Sequence, residues 1–417
     1  MRIALIIHEL LVEGGGERQC IELARRMARN GHQIAIFTSA YDPLNCFPKL
    51  CRNVNIINVG RGRLRWLRKP LPVRGFLDMR RLVARVHQQF DVWNPHHWPA
   101  QWGAVWLKRK LGGRVVWNCN DVPIFYEKAR QRQTVSDMFL AALRWLYYFY
   151  DRSQNDNVDL TLLLSNWAES NFKAIYSGPT RIVRAGVDSV FFTPGGDRDK
   201  IRGRFGYAPE QFVLLWLGIF MPHRRLQDVI HAISRLRHRG LRVNLLLAGS
   251  DRSYPTYFQS LNALTRQLGI EDQVTFSGKV DEDEIRDFYC ACDAFVFPNE
   301  HQTWGLAVFE AMACGSPVLV SQGAAISEVL TDNETALLFP PRNPDVLADK
   351  IELMVLQPSL RQELAANGLK LTAATYSWDS FADHFYEACS HLFGVELSSA
   401  HVTDTVTPSR DELIHNG

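Results

Sequence analysis

This sequence predicts two α/β domains, each built on a parallel sheet, and three observations lead there. Short apolar runs alternate with longer amphipathic stretches almost from end to end, the rhythm of strands covered by helices on both faces. The 417 residues exceed what one such core needs and suit two. The rhythm also pauses once, at Phe192-Thr193-Pro194-Gly195-Gly196, and then restarts.

Composition narrows the class. Hydrophobic content of 46% supports substantial cores, and a net charge of +3 does not mark a nucleic-acid binder. The eight cysteines (20, 46, 51, 119, 290, 292, 314, 389) form no CxxC pair and no zinc spacing. A chain of this size without a cysteine framework points to a reducing, cytoplasmic setting. The opening M-R-I-A-L-I-I-H-E has too short an apolar run for a signal peptide and reads as a first strand. No run approaches the roughly 18 apolar residues of a membrane span.

In the first half, Ile3–Ile7 reads as a buried strand, Glu17–Asn30 as a helix closed by Gly31, and Ile34–Phe37 as a second strand. Gly14-Gly15-Gly16 lies between the first strand and the helix. It is not a dinucleotide fingerprint: six residues separate it from the strand, and the second strand ends in Phe37-Thr38-Ser39 without an acid. Residues 61–85 hold nine Lys/Arg against Asp78, interleaved with Leu64, Trp66, Leu67, Leu71 and Phe76. That mixture suits an anionic membrane surface or a phosphorylated acceptor, and equally a solvated helix face. Phe139–Tyr150 is apolar and aromatic but too short to span a bilayer, so it reads as a core helix or a membrane-facing edge. Asp91–His97 places His96 and His97 at a strand end, and Arg114–Asp121 ends its strand near Asn120 and Asp121. Leu160–Leu164 is a further strand, with Ser165 or Asn166 capping the next helix.

The second half repeats the pattern. Strands are expected at Phe212–Leu217, Val243–Ala248, Val274–Phe276, Ala294–Phe297 and Leu337–Phe339, and helices at Pro344–Leu356, Ser359–Thr372 and Trp378–Phe393. The polar, Ser/Thr-rich end, 398–417, reads as a disordered tail. The organising stretch is Gln302–Pro317, Q-T-W-G-L-A-V-F-E-A-M-A-C-G-S-P. Strand Ala294–Phe297, a polar loop and a helix beginning near Gly305 form the strand–loop–helix unit at which α/β sheets bind ligands. Free amides of the helix's first turn favour anionic or hydroxyl-rich ligands. Glu310, about a turn and a half into the helix, can accept two hydrogen bonds from a vicinal diol such as a ribose.

This segment resembles the signature of the large retaining glycosyltransferase family 4: a Glu, seven residues, a second Glu, then A-M-A-x-G-x-P-V. The resemblance covers about residues 1–395 and implies the GT-B fold, two Rossmann-like domains facing a cleft. It implies a boundary near Asp188, where Gly186-Val187-Asp188 and Phe192-Thr193-Pro194 resemble the family's interdomain link. Residues 1–188 would form the acceptor domain, completed by a helix over 376–395 that crosses back, and 189–375 the donor domain. The reaction implied is transfer of a hexosyl group from a nucleotide sugar to an acceptor hydroxyl, with retention and without a metal or other cofactor.

By that resemblance Glu310 holds the ribose, and Gln302 with the amides of Trp304, Gly305 and Leu306 holds the sugar. Gly15 and Gly16, in a G-G-x-E-R loop, approach the phosphate from across the cleft. In Gly218–Arg225 the family's Gly-Arg and following Lys become Gly218-Ile219 and Arg224, with Arg225 beside it. A guanidinium there would neutralise the donor diphosphate and its leaving group. His97 or Asn120 would lie near the reacting centre, Asn120 standing where the family commonly has His. Gln302 replaces the first Glu of the signature, and Glu300 lies two residues early. Gly323 and Glu328 resemble the family's G-G-x-x-E, in which that Glu supports the loop. Asp281–Asp283 and Asp197–Asp199 match D-x-D, the metal motif of the other major glycosyltransferase fold, but the first pair reads better as capping and dipole effects in a helix's first turn, the second sits in the interdomain segment, and neither is assigned a metal. The run Tyr41–Phe47 resembles mannosyltransferases of lipid-linked oligosaccharides, which suggests GDP-mannose, with UDP-sugars close behind, and a lipid-linked or cell-surface glycan acceptor. A nucleotide-sugar epimerase or phosphorylase on the same fold, and a non-catalytic nucleotide-sugar or glycan-binding module, are the alternatives. The first would act without an acceptor or with inorganic phosphate, and the second would bind without turnover.

Overall fold

The computed structural model describes residues 1–61, 72–120, 148–251 and 254–394. Leu64, Trp66, Leu67 and Leu71 of the basic segment, Asp121, most of the 139–150 stretch, and 398–417 lie outside the described residues.

The first domain carries a seven-stranded parallel sheet. Its strands are β1 (Arg2–Leu10), β2 (Gln33–Tyr41), β3 (Ile56–Asn58), β4 (Val92–His96), β5 (Arg114–Asn118), β6 (Leu160–Leu163) and β7 (Thr180–Ile182), in the order β3-β2-β1-β4-β5-β6-β7. Helices α1 (Gly15–Arg29), α2 (Pro72–Arg85), α3 (Ala100–Leu111) and α4 (Asn166–Lys173) connect them. The second domain begins with α5 (Arg198–Phe205). Its six-stranded parallel sheet contains β8 (Val213–Leu217), β9 (Asn244–Ala248), β10 (Val274–Gly278), β11 (Ala294–Phe297), β12 (Val318–Ser321) and β13 (Leu337–Phe339), in the order β10-β9-β8-β11-β12-β13. Its helices are α6 (Leu226–His238), α7 (Pro255–Gln267), α8 (Ile285–Ala291), α9 (Leu306–Ala313), α10 (Pro344–Leu356) and α11 (Pro358–Thr375).

Strands buried on both faces explain the unbroken apolar runs: β8, β9 and β11 bury nearly every side chain. One core cluster fills the outer face of the first sheet around Trp93 and Trp117, and another fills the outer face of the second around Trp216 and Phe220. The third is shared. It runs from Ile3 and Leu5 through Phe192 to Phe309, so the domains pack through a continuous apolar layer.

The chain crosses between domains twice, side by side. Val187 N–H donates to the Tyr376 carbonyl at 3.0 Å, and Gly186 lies so close to Ser377 that a Cβ there would sit 2.3 Å from its carbonyl carbon. The second crossing leads into α12 (Trp378–Leu392), which returns to the first domain. Arg26 pairs with Asp379 at 3.1 Å, Arg181 with Glu387 at 2.8 Å, and His32 stacks on Tyr386. This is the expected GT-B arrangement with its returning helix. Among the described residues no helix is long and apolar enough to cross a membrane.

Candidate active site

Each sheet reverses its winding once, between β1 and β4 and between β8 and β11. The loops leaving those four strands meet at the cleft, because ligand crevices form where strand order reverses. The sequence motifs fall on these loops: Gly14–Gly16 after β1, His97 after β4, Gly218–Arg225 after β8 and Pro298–Gly305 after β11.

On the first domain, α1 starts at Gly15 with Gly14 as an N-cap that offers no side-chain acceptor. His97 adopts a left-handed backbone, φ +60°, and turns its ring onto this loop. A Cβ on Gly16 would lie 1.8 Å from His97 Nε2. Gly15 faces the other domain, where a Cβ would touch Leu306 Cδ1 at 3.6 Å. Neighbouring His96 is fully buried and belongs to the scaffold: Nε2 contacts Asn94 Oδ1 at 2.9 Å and Asn118 Nδ2 at 3.3 Å. Burial holds its imidazole neutral, well below the ordinary histidine pKa. Asn120 is buried two residues beyond Asn118.

On the second domain, Pro222–Arg224 forms one 3-10 turn and Arg225 adopts φ +52° before α6. The two arginines then part. Arg225 binds Asp228 with both arms, at 3.0 and 2.9 Å, and so secures the start of α6. Arg224 Nη1 donates to Gln302 Oε1 at 2.7 Å. A Glu at 302 would form an ion pair here, whereas Gln302 accepts without neutralising the guanidinium. The loop is stitched from both sides, by Glu300 N–H to the His223 carbonyl, His301 N–H to Gly323 and Ala325 N–H to Gln302, all within 3.0 Å. Gly218 is held against the neighbouring turn, since a Cβ on Gly249 would sit 1.6 Å from its oxygen.

Several side chains have duties other than the sugar. Glu300, largely buried, binds the exposed Arg342 through both oxygens at 2.9 Å. Trp304 is buried, and its indole N–H donates to the Ala185 carbonyl of the interdomain link at 3.0 Å. Only the Trp304 backbone therefore remains to act beside Gly305 and Leu306, where α9 begins without a side-chain cap. Glu328 reaches further than its own loop: its oxygens accept the N–H groups of Asn166 and Trp167 at 2.9 and 2.7 Å, capping α4 of the other domain. Ser165 Oγ caps the same helix.

Glu310 lies buried inside α9. Tyr289 donates its hydroxyl to Oε2 at 3.0 Å, and Arg18 Nη1 donates to Oε1 at 3.2 Å. Burial raises the Glu310 carboxyl above its ordinary pKa, and Arg18 and the Tyr289 hydroxyl oppose it. Arg18 and Tyr289 have no counterpart among the sequence-predicted site residues. The only signal for Arg18 was its place in G-G-x-E-R, and its partner lies 292 residues away. Asn299, after β11, is also newly seen: it is fully buried, and neither side-chain atom has a hydrogen-bond partner among the described residues.

Of the D-x-D pairs, Asp197 caps α5 by accepting from Lys200 N–H at 2.9 Å, while Asp281 makes no side-chain cap and Asp283 pairs with Lys49 of the first domain. His8, Glu9 and Asp78 also cluster within metal-ligating range. Arginines satisfy that group, Arg74 and Arg61 pairing with Glu9 at 2.6 and 3.0 Å and Arg74 approaching Asp78 at 3.7 Å. In the described part of 61–85 the cations are mostly turned to the protein: Arg81 and Arg85 donate to the Val59 carbonyl, and Phe76 packs edge-on against Trp102 and Trp106. Arg80 stays exposed, over the Phe76 ring.

Comparison with known proteins agrees with this fold. Residues 13–190 match the family described as Glycosyltransferase Family 4, and residues 197–371 match Glycosyl transferases group 1. A D-inositol 3-phosphate glycosyltransferase of Actinosynnema mirum is 28% identical over 88% of this chain and 89% of that protein. Another, of Rhodococcus opacus, is 27% identical over 95% and 90%. Among solved structures, sucrose-phosphate synthase from Thermosynechococcus elongatus superposes with a TM-score of 0.77 at 20% identity, covering 94% of this chain and 99% of that one. Anabaena HepE in complex with UDP-glucose gives 0.76 at 17%, covering 93% and 99%.

Proposed function

The chain is a nucleotide-sugar glycosyltransferase of the GT-B fold, family 4 in its N-terminal half and group 1 in its C-terminal half, and from that premise we propose that it moves a hexosyl group to an acceptor hydroxyl with retention. The observation that carries the reading is the convergence of Arg224, Gln302, the uncapped start of α9 and Glu310 on one side of the cleft, opposite Gly15, Gly16 and His97. In this reading Arg224 neutralises the diphosphate and the charge that grows on it as the glycosidic bond breaks. The amides of Gly305 and Leu306 and the Gln302 amide hold the sugar. Glu310 holds the ribose. Gly15 and Gly16 bring backbone to the phosphate without a side chain, and His97 or Asn120 faces the reacting carbon. Arg225 is left out, because Asp228 engages it.

The donor is a UDP- or GDP-hexose. The run over 41–47 supports mannose, while a UDP-glucose complex of a structural neighbour and inositol phosphate in the relatives' names support other sugars and a phosphorylated polyol acceptor. A panel of UDP-, GDP- and ADP-sugars tests the reading, scored for binding and for slow hydrolysis without acceptor. One donor bound and hydrolysed by the wild type, with hydrolysis lost in Arg224→Ala, is the expected result. A separate proposal, that 61–85 rests on an anionic bilayer, predicts sedimentation with anionic vesicles that salt reverses. Absence of binding at low salt removes it.

A further inference from the structure

Glu310 is held from both domains. Tyr289 of α8 binds one carboxylate oxygen, and Arg18 of α1, from the opposite domain, binds the other. Arg18 is itself 7% exposed. Its guanidinium carbon lies 5.6 Å from the Phe47 ring centre and 5.3 Å from that of Phe192, and Nη2 stands 3.8 Å from Glu282. A cation so far from water is costly unless paired, and its closest anion is across the cleft. A carboxylate offers about four lone-pair positions. Arg18 and Tyr289 take one on each oxygen. One remains on each, matching two adjacent hydroxyls.

We propose that Arg18 is a positioning residue of the donor site, fixing the Glu310 carboxylate from across the cleft so that its two open acceptor positions meet the ribose diol of a nucleoside diphosphate. The inference rests on the reading of Glu310 as the ribose ligand. It makes the donor site complete only when the domains are together, because a residue of one domain orients the ligand-binding group of the other.

The sign of the pH effect follows. Diol binding requires the carboxylate, so it is present above the Glu310 pKa and lost as pH falls through it. Burial raises that pKa, and Arg18 and then the Tyr289 hydroxyl hold it down. Glu282, whose carboxyl is raised by its own burial, stands beside Arg18, and the Cys314 thiol at the end of α9 is kept protonated by Cys290 and by burial. The far flank of α9 packs on α11 through Met312 and Gly368. Removing Arg18 leaves burial less opposed, so donor binding fails at a higher pH.

The test is calorimetric titration of the full chain with UDP and with GDP, from mildly acidic to mildly alkaline pH, for wild type, Arg18→Gln, Arg18→Lys, Tyr289→Phe and Glu310→Gln. Arg18→Gln should weaken binding about tenfold at neutral pH and move the acid limb upward. Arg18→Lys should return the limb partway, and Tyr289→Phe should move it the same way by less. Glu310→Gln should remove the limb. If Glu310→Gln removes it but the Arg18 and Tyr289 variants keep the wild-type limb, the Arg18 inference fails while the ribose reading stands. If Glu310→Gln binds like wild type, or wild type binds neither nucleotide, the ribose reading fails and takes the inference with it.

Discussion

Gly16 has no space for a side chain. A Cβ there would overlap the His97 ring, whose left-handed backbone aims it at the loop. The clash is with the outer end of a ring, so Gly16→Ala should fold and push His97 aside. A displacement of about 1 Å at a reacting centre can cost about a hundredfold in rate. We expect turnover of the identified donor to fall by about that factor while the melting temperature moves by only a few degrees. Unchanged turnover would remove His97 from the reaction. The same scale shows what a sequence can disclose about a site. Glu310, Gln302, Arg224 and Gly16 stand in contiguous motifs, and their place at the cleft was legible. Arg18, Tyr289 and Asn299 were not, because their meaning depends on neighbours brought close only by the fold. The sequence put Arg224 first, at the family's Lys position, with Arg225 beside it, and the left-handed turn at Arg225 separates them, giving Arg225 to Asp228 and Arg224 to Gln302.

At the scale of elements, apolar runs bounded by turn residues located most of the central strands, with β11 and β13 where expected, while the internal strand β12 and the edge strand β7 were not read. The ends were less legible. β1 continues to Leu10, because pairing with β2 extends through Glu9 and Leu10 although His8 and Glu9 are polar. The short edge strand β3 and helix α3 went unread. The first has only three residues, and the second is amphipathic only weakly and carries Gly103 and three aromatic or basic turns that blur its period. Close approach of elements also fixes which glycines matter. Gly186→Ala should drive its methyl into the Ser377 backbone and pry apart the two interdomain crossings, costing about 1–3 kcal/mol. Gly203, inside α5, has nothing within 4 Å of where a Cβ would stand. Gly203→Ala should stabilise by about 0.5–1 kcal/mol. Equilibrium denaturation of the two variants checks both signs, and a neutral Gly186→Ala would show that the crossings are looser than this packing implies.

For the whole molecule, the two domains are held in register by parts that also serve the site. Trp304 ties the loop after β11 to the first crossing, Glu328 caps a helix of the first domain, and α12 returns to pack on α1, whose first turn carries Gly15, Gly16 and Arg18. The cleft's two walls are thus positioned by the same contacts that hold the domains together. The central claim is that this cleft activates a nucleotide sugar with Arg224 on its diphosphate. The most direct measurement is donor binding and acceptor-free hydrolysis across the UDP-, GDP- and ADP-sugar panel, comparing wild type with Arg224→Ala. The account predicts one donor bound and slowly hydrolysed, with hydrolysis reduced by about a hundredfold or more in the variant. Binding of no donor, or hydrolysis equally fast without Arg224, would contradict it.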